Sequence, residues 1–287
     1  NEVHRRASQS VLMASFRREW IDLSANALLT LMGEESNGGM ERSYRRVSPY
    51  AGVNLRLWAS EDRGKSLRLR YFFKENYRLP TFNEVYFYTT TRTNLRPERA
   101  LQHNLGLTFA HPHATATVDG YYNRVTDKII AIPAQNLFLW SMMNLGKVEI
   151  TGLDANAQFS ILNSQFSILL NYSYQRALDM TDPESKTYRQ QIPYTPRHSG
   201  GATLTWKAPW LTASYNAFFV GARYSSAQNT PNYHLRPYVD QGITLSRTFG
   251  HYTLRAQVLN LFNVQYEVVR SYPMMGRNYR LVLSFKF

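Results

Sequence analysis

The stretch SLRLRYFFKENYRLPTFNEVYFYTTTRTNLRPERALQHNLGLTF, Ser66–Phe109, sets two alternating runs on either side of a long connection. In the first run Leu67, Leu69, Tyr71 and Phe73 point one way, and Arg68, Arg70 and Lys74 the other. In the second, Leu101, Leu105, Leu107 and Phe109 alternate with Gln102, Asn104 and Thr108. Strict period-two alternation over eight to ten residues predicts strands with one apolar and one polar face. The connection, 78–98, carries Phe82, Tyr86, Phe87 and Tyr88 between Pro80 and Pro97. It is too apolar for a solvated linker.

The same period recurs along the chain, for example in Gln165–Tyr174 and Asn278–Phe287. Thirteen strands can be drawn from it, near 9–19, 21–33, 47–59, 65–77, 99–110, 114–132, 147–162, 165–179, 196–208, 210–224, 237–248, 251–268 and 277–287. Their connections alternate in length. One set is tight (REWID, SEDRGKS, AHPHA, LNSQ, KAPW, TFGH); the other is long, near 34–46, 78–98, 133–146, 180–195, 225–236 and 269–276. A soluble sandwich does not require that alternation. A transmembrane barrel does, with short turns at its periplasmic end, long loops outside and an apolar exterior around a polar lumen. The predicted lumen face carries Arg68, Arg70, Lys74, Asn104, Asn156, Asn171, Asn216 and Arg255. The fold class is therefore all-β, a transmembrane antiparallel β-barrel.

Composition agrees. The chain has 287 residues, 20 Tyr and 15 Phe, a Tyr-rich bias that suits half-wet surfaces. No 18-residue apolar window predicts a membrane helix, which says nothing against barrel strands. With no Cys, disulfides and thiolate sites are excluded. The net charge of +13 is spread along the chain without a groove-reading motif, so a wet interior is expected and no nucleic acid. Among the seven His, His111 and His113 form an H-x-H pair on a tight turn with no third ligand nearby, and no metal site is expected. No nucleophile, base and orienting group share a loop, so no catalytic residue is assigned and the protein is not expected to be an enzyme.

Parity fixes the direction of the strands. If the last strand runs inward to the chain terminus, every odd strand does, and the first of thirteen starts outside. An odd count and an outside start both predict the C-terminal section of a longer barrel, since single-chain bacterial barrels have even strand numbers. NEVHRRASQS has no apolar core of the kind a leader peptide needs.

Five motifs, in order, resemble the TonB-dependent outer-membrane receptors. YRLPTFNEVY, Tyr77–Tyr86, is similar to the family's Phe-Arg-Ala-Pro-Thr segment, and NLRPERALQHNLGL, Asn94–Leu107, to its Asn-Leu-x-Pro-Glu block. NLGKVEITGLD, Asn144–Asp154, resembles its Gly-Leu-Glu strand start, and VLNLFNVQY, Val258–Tyr266, its Asn-Leu-Phe-Asp-x-x-Tyr. YPMMGRNYRLVLSFKF, Tyr272–Phe287, resembles its Pro-Gly-Arg-x-Tyr ending with a terminal Phe. Leu79, Gln102, His103, Asp154 and Met275 depart from the pattern without touching the architecture. The resemblance implies about thirteen strands of a 22-stranded barrel in the bacterial outer membrane, with lipid and lipopolysaccharide around it. The plug domain and the coupling box that meets TonB would lie outside this chain, which alone would not transport. YNRVTDKIIAIP followed by LFLWSMMNLGKVEITGLD looks most like Bacteroides-type cobalamin receptors, so cobalamin is the expected cargo. Siderophore uptake and a passive porin-like channel are the alternatives. The region Thr81–Thr93 contains no His, which argues against the haem branch.

Within that frame the loop aromatics Phe82, Tyr86, Tyr88, Phe138, Trp140, Tyr188, Tyr194 and Tyr233 are the candidates for gripping a large, partly apolar ligand or a surface lipoprotein. Arg78, Pro80, Glu84, Asn94, Pro97, Glu98, Asn260, Gly276 and Arg277 are expected to hold loops. Arg78 is expected to pair with Glu84 or Glu98 rather than with ligand. The terminal Phe287 is implied to be an assembly signal as well as a girdle aromatic.

Overall fold

The computed structural model describes residues 3–36, 42–61, 64–86, 95–133 and 140–286. Its first eight strands are β1 (Val3–Arg17), β2 (Ile21–Ser36), β3 (Arg42–Ala59), β4 (Ser66–Arg78), β5 (Glu98–His111), β6 (Ala114–Pro133), β7 (Trp140–Ile161) and β8 (Phe166–Asp179). The others are β9 (His198–Lys207), β10 (Thr212–Val220), β11 (Arg223–Tyr224), β12 (His234–Leu235), β13 (Tyr238–Phe249), β14 (Tyr252–Leu259), β15 (Glu267–Val269), β16 (Tyr272–Pro273) and β17 (Asn278–Phe285). One short helix, α1 (Phe82–Tyr86), follows β4. Thirteen strands form one antiparallel meander in the order β1 to β10, β13, β14, β17; β11 pairs with β12 and β15 with β16 as separate ribbons.

The ladder places one polar row across much of the sheet. Asn54 pairs with Arg70, Arg70 with Gly106, Gly106 with Asp119 and Asp119 with Asp154. Asp154 pairs with Ser173 and Ser173 with Ser199. Because side chains alternate with period two, these residues share one face. All eight residues read from the sequence as lumen-facing fall on it. Charge is met there locally: Arg70 Nη2 neutralises Asp119 Oδ1 at 2.6 Å, and the Asp154 carboxylate accepts a hydrogen bond from Ser173 at 2.5 Å. The opposite face carries Leu23, Leu69, Leu105, Leu153, Leu204 and Leu281. Leu105, in mid-strand, is 53% exposed. A soluble protein would cover such a face; a barrel turns it to lipid.

This gives a directional test. Leu105→Arg is expected to destabilise the folded barrel in bilayers by about 2 kcal/mol or more, because the charge faces hydrocarbon. Thr117→Arg, on the other face one strand away, should cost far less. Urea titrations of the two variants in liposomes check the difference; equal losses would defeat the assignment of faces, and a larger loss for Thr117→Arg would reverse it.

The strand boundaries correct the sequence reading at several points. β2 and β3 reach Ser36 and Arg42, and β6 and β7 reach Pro133 and Trp140, so the expected loops 34–46 and 133–146 are largely strand. Polar strand ends above a membrane carry no apolar alternation, which is why the period hid them. The first strand begins at Val3 and ends at Arg17 rather than spanning 9–19. The expected strands 210–224 and 251–268 stop at Val220 and Leu259. Asn260, with φ 48°, turns the chain after β14.

The buried apolar residues gather at the long-loop end. Val125, Val148 and Ala177 from three adjacent strands pack with Ile192 of the 180–195 loop, flanked by Ala100 and Ile150. That loop therefore folds back onto the polar face and plugs its upper margin with apolar side chains.

Candidate functional site

The 78–98 connection is built around one arginine. Pro80, which fixes its own φ and disfavours helix at Leu79, ends β4 cleanly. The next four residues form a capping box: the Thr81 hydroxyl accepts from Glu84 N–H at 3.3 Å, and Glu84 Oε2 accepts from Thr81 N–H at 2.7 Å. This reciprocal pair starts α1. It also aims Glu84 back at Arg78, whose Nη1 donates to both its carboxylate oxygens at 2.9 and 3.0 Å. The other edge of the guanidinium meets Glu98 two-pronged, Nε to Oε2 at 2.9 Å and Nη2 to Oε1 at 2.8 Å. Glu98 also accepts from the Ile129 backbone N–H at 2.5 Å. One planar cation thus ties the end of β4, the helix and the start of β5 together, and Glu98 carries the tie on to β6. The fork geometry is what lets arginine do this and lysine not.

Around that latch the loop packs rather than dangles. Val85, Leu95 and Ile129 form a buried cluster with Met142 against it. Asn144 reaches across from β7: its Nδ2 donates to the carbonyls of Arg96 (2.9 Å) and Asp127 (2.6 Å), and its Oδ1 accepts from Arg96 N–H (2.8 Å). Arg96 pairs with Asp127 at 2.5 Å. On the other side the buried Pro80 offers its carbonyl to Arg5 at 3.2 Å, and Arg5 pairs with the buried Glu34 at 2.6 Å. The loop is thereby fastened to β1, β2, β6 and β7.

Two further clasps lie at the same end. Asn229 (φ 52°) donates to the Gln191 carbonyl at 2.9 Å and accepts from Gln191 N–H at 2.7 Å, tying loop 225–236 to loop 180–195. After β14 the buried Asn260 accepts from Val264 N–H (2.8 Å) and donates to the carbonyls of Val264 (2.9 Å) and Met275 (3.2 Å). Asn263 Oδ1 accepts from Arg277 N–H at 2.9 Å, and Arg277 Nε donates to the Leu261 carbonyl at 2.8 Å. A Cβ on Gly276 would sit 2.5 Å from Asn263 Oδ1, so a side chain there would have to push the Asn263 amide off the Arg277 N–H. Nearby, Tyr266 stacks on Tyr238 at 4.0 Å and donates to Asp240 at 2.9 Å. Burial, then the Asp240 carboxylate, push the Tyr266 phenol up to about 12. The buried Arg223 lies over Tyr238 and donates to the Glu267 carbonyl at 2.5 Å.

The structure brings together Arg78, Pro80, Glu84 and Glu98 in one cluster, and Asn260, Gly276 and Arg277 in another. Pro97 leads into β5. The aromatic candidates are more scattered. Phe82 is half exposed on α1. Tyr194 (φ 59°) donates its N–H to the Tyr224 carbonyl at 2.7 Å. Tyr233 is exposed with the Arg270 guanidinium 4.4 Å from its ring centre. Tyr188 is half-buried in its own loop. Tyr88, Phe138, Asn94 and Phe287 lie outside the described residues, as do the side chains of Tyr86 and Trp140. The sequence reading quoted Asn144 and Asn263 only within family motifs, gave them no loop-holding role, and passed over Asn229. The Thr81-x-x-Glu84 spacing was a readable sign of α1. Among the described residues, no three His, Cys, Asp or Glu are grouped to hold a metal ion.

A single antiparallel meander, apolar on one face and polar on the other, with tight turns at one end and clasped loops at the other, defines the wall of a membrane β-barrel. Residues 8–261 match the family model for the TonB dependent receptor-like β-barrel, and the chain belongs to that family of bacterial outer-membrane transport receptors. It is 24% identical over 215 residues to the vitamin B12 transporter BtuB of Photobacterium profundum, covering 74% of this chain and 34% of that protein. It is 23% identical over 216 residues to BtuB of Vibrio vulnificus, covering 74% and 33%. The chain thus spans about a third of the length of these curated relatives. Among solved structures, the siderophore receptor PiuA from Acinetobacter baumannii superposes with a TM-score of 0.78 at 14% identity, over 99% of this chain and 44% of PiuA. The ferric citrate transporter FecA in its unliganded form gives 0.76 at 18%, over 99% and 45%.

Proposed function

We propose that this chain is the C-terminal barrel section of a receptor that takes up cobalamin, with its long loops outside the cell. The observation that carries the cargo is the match to vitamin B12 transporters over three quarters of the chain. The mouth supports it: α1 and the clasped loops offer Phe82, Tyr188, Tyr194 and Tyr233 from a fixed frame, and rigid aromatics grip a large ligand at little entropic cost. The barrel wall supplies no energy, so uptake would need a plug moved by TonB; a surface lipoprotein is a further partner for the same loops.

The test is titration of the full-length receptor with cyanocobalamin and with ferric siderophores. Saturable cobalamin binding is expected, weakened roughly five- to thirtyfold by Phe82→Ala or Tyr233→Ala if these are contact aromatics. Binding of an iron chelate alone would replace this cargo with the siderophore reading.

A further inference from the structure

We infer that Arg270, held over the Tyr233 ring, reads a phosphate on the cargo and so decides between corrinoids that carry a nucleotide tail and those that do not. This rests on the cobalamin reading and on the long loops facing outward. The pair joins two connections. Tyr233 ends a 3-10 turn, Pro231–Tyr233, in loop 225–236, and Arg270 sits at the tip of the β15–β16 ribbon. The Arg270 guanidinium carbon lies 4.4 Å from the centre of the Tyr233 ring, and both residues are exposed.

Both partners are anchored on the lumen side of the wall. Tyr266, just before β15, donates to Asp240 at 2.9 Å, and the ladder sets Asp240 in one row with Phe218, Gly201 and Asn171 on the polar face. Met274 N–H donates to the Tyr266 carbonyl at 3.0 Å and closes the base of the ribbon. At its tip Ser271 (φ 66°) donates its N–H to Glu267 Oε2 at 3.1 Å. In the other loop the Tyr233 carbonyl accepts from Ser225 N–H at 2.9 Å, and Tyr233 N–H donates to the Thr230 carbonyl at 3.0 Å. The buried Arg223 joins the two frames, since it belongs to β11 and donates to the Glu267 carbonyl of β15 at 2.5 Å. The pair is thus held in place by contacts of its own loops.

The charge of this pair is not met within the described chain. Among the described residues no carboxylate pairs with Arg270, and no protein acceptor takes its N–H groups. A guanidinium over an aromatic face keeps its charge and loses water on that side, while the donors along its edge stay available. Such an edge matches two oxygens of a phosphate at once. Cobalamin carries one phosphodiester, in the tail that joins its corrin ring to its base, so one arginine balances it. The carboxamides around the corrin rim are neutral and give the arginine no comparable partner. A pair that served only to pack two loops together would treat every corrinoid alike.

The experiment titrates the full-length receptor with three ligands: cyanocobalamin; cobinamide phosphate, which lacks the base and keeps a phosphate; and dicyanocobinamide, which lacks both. Arg270→Gln is expected to weaken binding of the first two about tenfold or more, the contribution of a hydrogen bond to a charged group, and to leave dicyanocobinamide unchanged. Tyr233→Phe keeps a ring beneath the guanidinium and should preserve the discrimination, whereas Tyr233→Leu should lose most of it. Arg236→Gln, exposed in the same loop, is the control and should affect no ligand. Unchanged heat-modifiable migration confirms that the variants fold. Equal loss for all three ligands, loss for none, or loss for cyanocobalamin alone would each overturn the inference, the last by assigning Arg270 to the base. None of those results touches the cargo reading. That reading fails if the unmodified receptor binds no corrinoid, and this inference then fails with it.

Discussion

Arg78→Ala is expected to lower the stability of the loop end of the full-length receptor by about 3 kcal/mol, the low end for removing one partner of a buried charge cluster. The carboxylates it leaves behind, Glu84 and Glu98, have only 13% and 12% of their side chains exposed. Arg78 itself is 41% exposed, so water entering the gap offsets part of the loss. Arg78→Lys should recover about half of it, because one ammonium cannot meet both carboxylates along their edges. Glu98 holds the Ile129 amide, so hydrogen exchange at Ile129 is the local readout, with the thermal midpoint as the global one. Unchanged protection at Ile129 in the alanine variant would show that the latch does not fasten the loop.

The second large effect is expected at Gly152, in the middle of the wall. A Cβ there would lie 2.3 Å from the end of the Tyr121 ring and 2.6 Å from the Tyr174 carbonyl oxygen. The tyrosine ring can swing away. The carbonyl is set by the β7–β8 ladder, and slipping that register by one residue would turn the polar row of β8 toward lipid. Gly152→Val is therefore expected to cut the yield of folded barrel at least about tenfold, the effect of one to three kcal/mol of overpacking acting during assembly. Gly152→Ala should be milder and partly rescued by Tyr121→Ala, which removes the mobile half of the clash. Heat-modifiable migration of these variants beside the unmodified protein gives the folded fractions. Normal assembly of the valine variant would mean that the two strands part more easily than their ladder implies.

Much of this wall was legible because lipid on one side and water on the other force every spanning residue to declare its face. The alternation in Ser66–Lys74 and Leu101–Phe109 gave both strands and their facing, and the polar row from Asn54 to Ser199 follows from it. The force weakens where water bathes both faces. There β2, β3, β6 and β7 continue as strand while their sequences read as loop, and Lys147 and Glu149 face out as readily as leucine does lower down. The clasps were harder still. Arg78 was expected to meet Glu84 or Glu98, because Pro80 fixes the strand exit between them; that it meets both follows from the Thr81–Glu84 capping box, which turns Glu84 back. Asn144, Asn229 and Asn263 each bond backbone groups far along the chain, and a lone asparagine in a loop carries no sign of which carbonyl it will meet.

The β6–β7 hairpin has a mechanical corollary. A strand of 20 residues is about 66 Å long and, tilted by about 45°, rises about 47 Å, roughly 15 Å beyond the hydrocarbon. Above Lys147 the two strands pair only with each other among the described residues, from Lys128↔Leu145 to Pro133↔Trp140. Asn144 and the packing of Met142 on Val85 and Leu95 brace the base of this ribbon against the neighbouring loop. Its described part is thereby tied to its surroundings at the base rather than left to hang from one strand. A molecule that touches the paired residues 128–133 and 140–145 meets backbone already held in a ladder, so none of the energy of that encounter is consumed in straightening it.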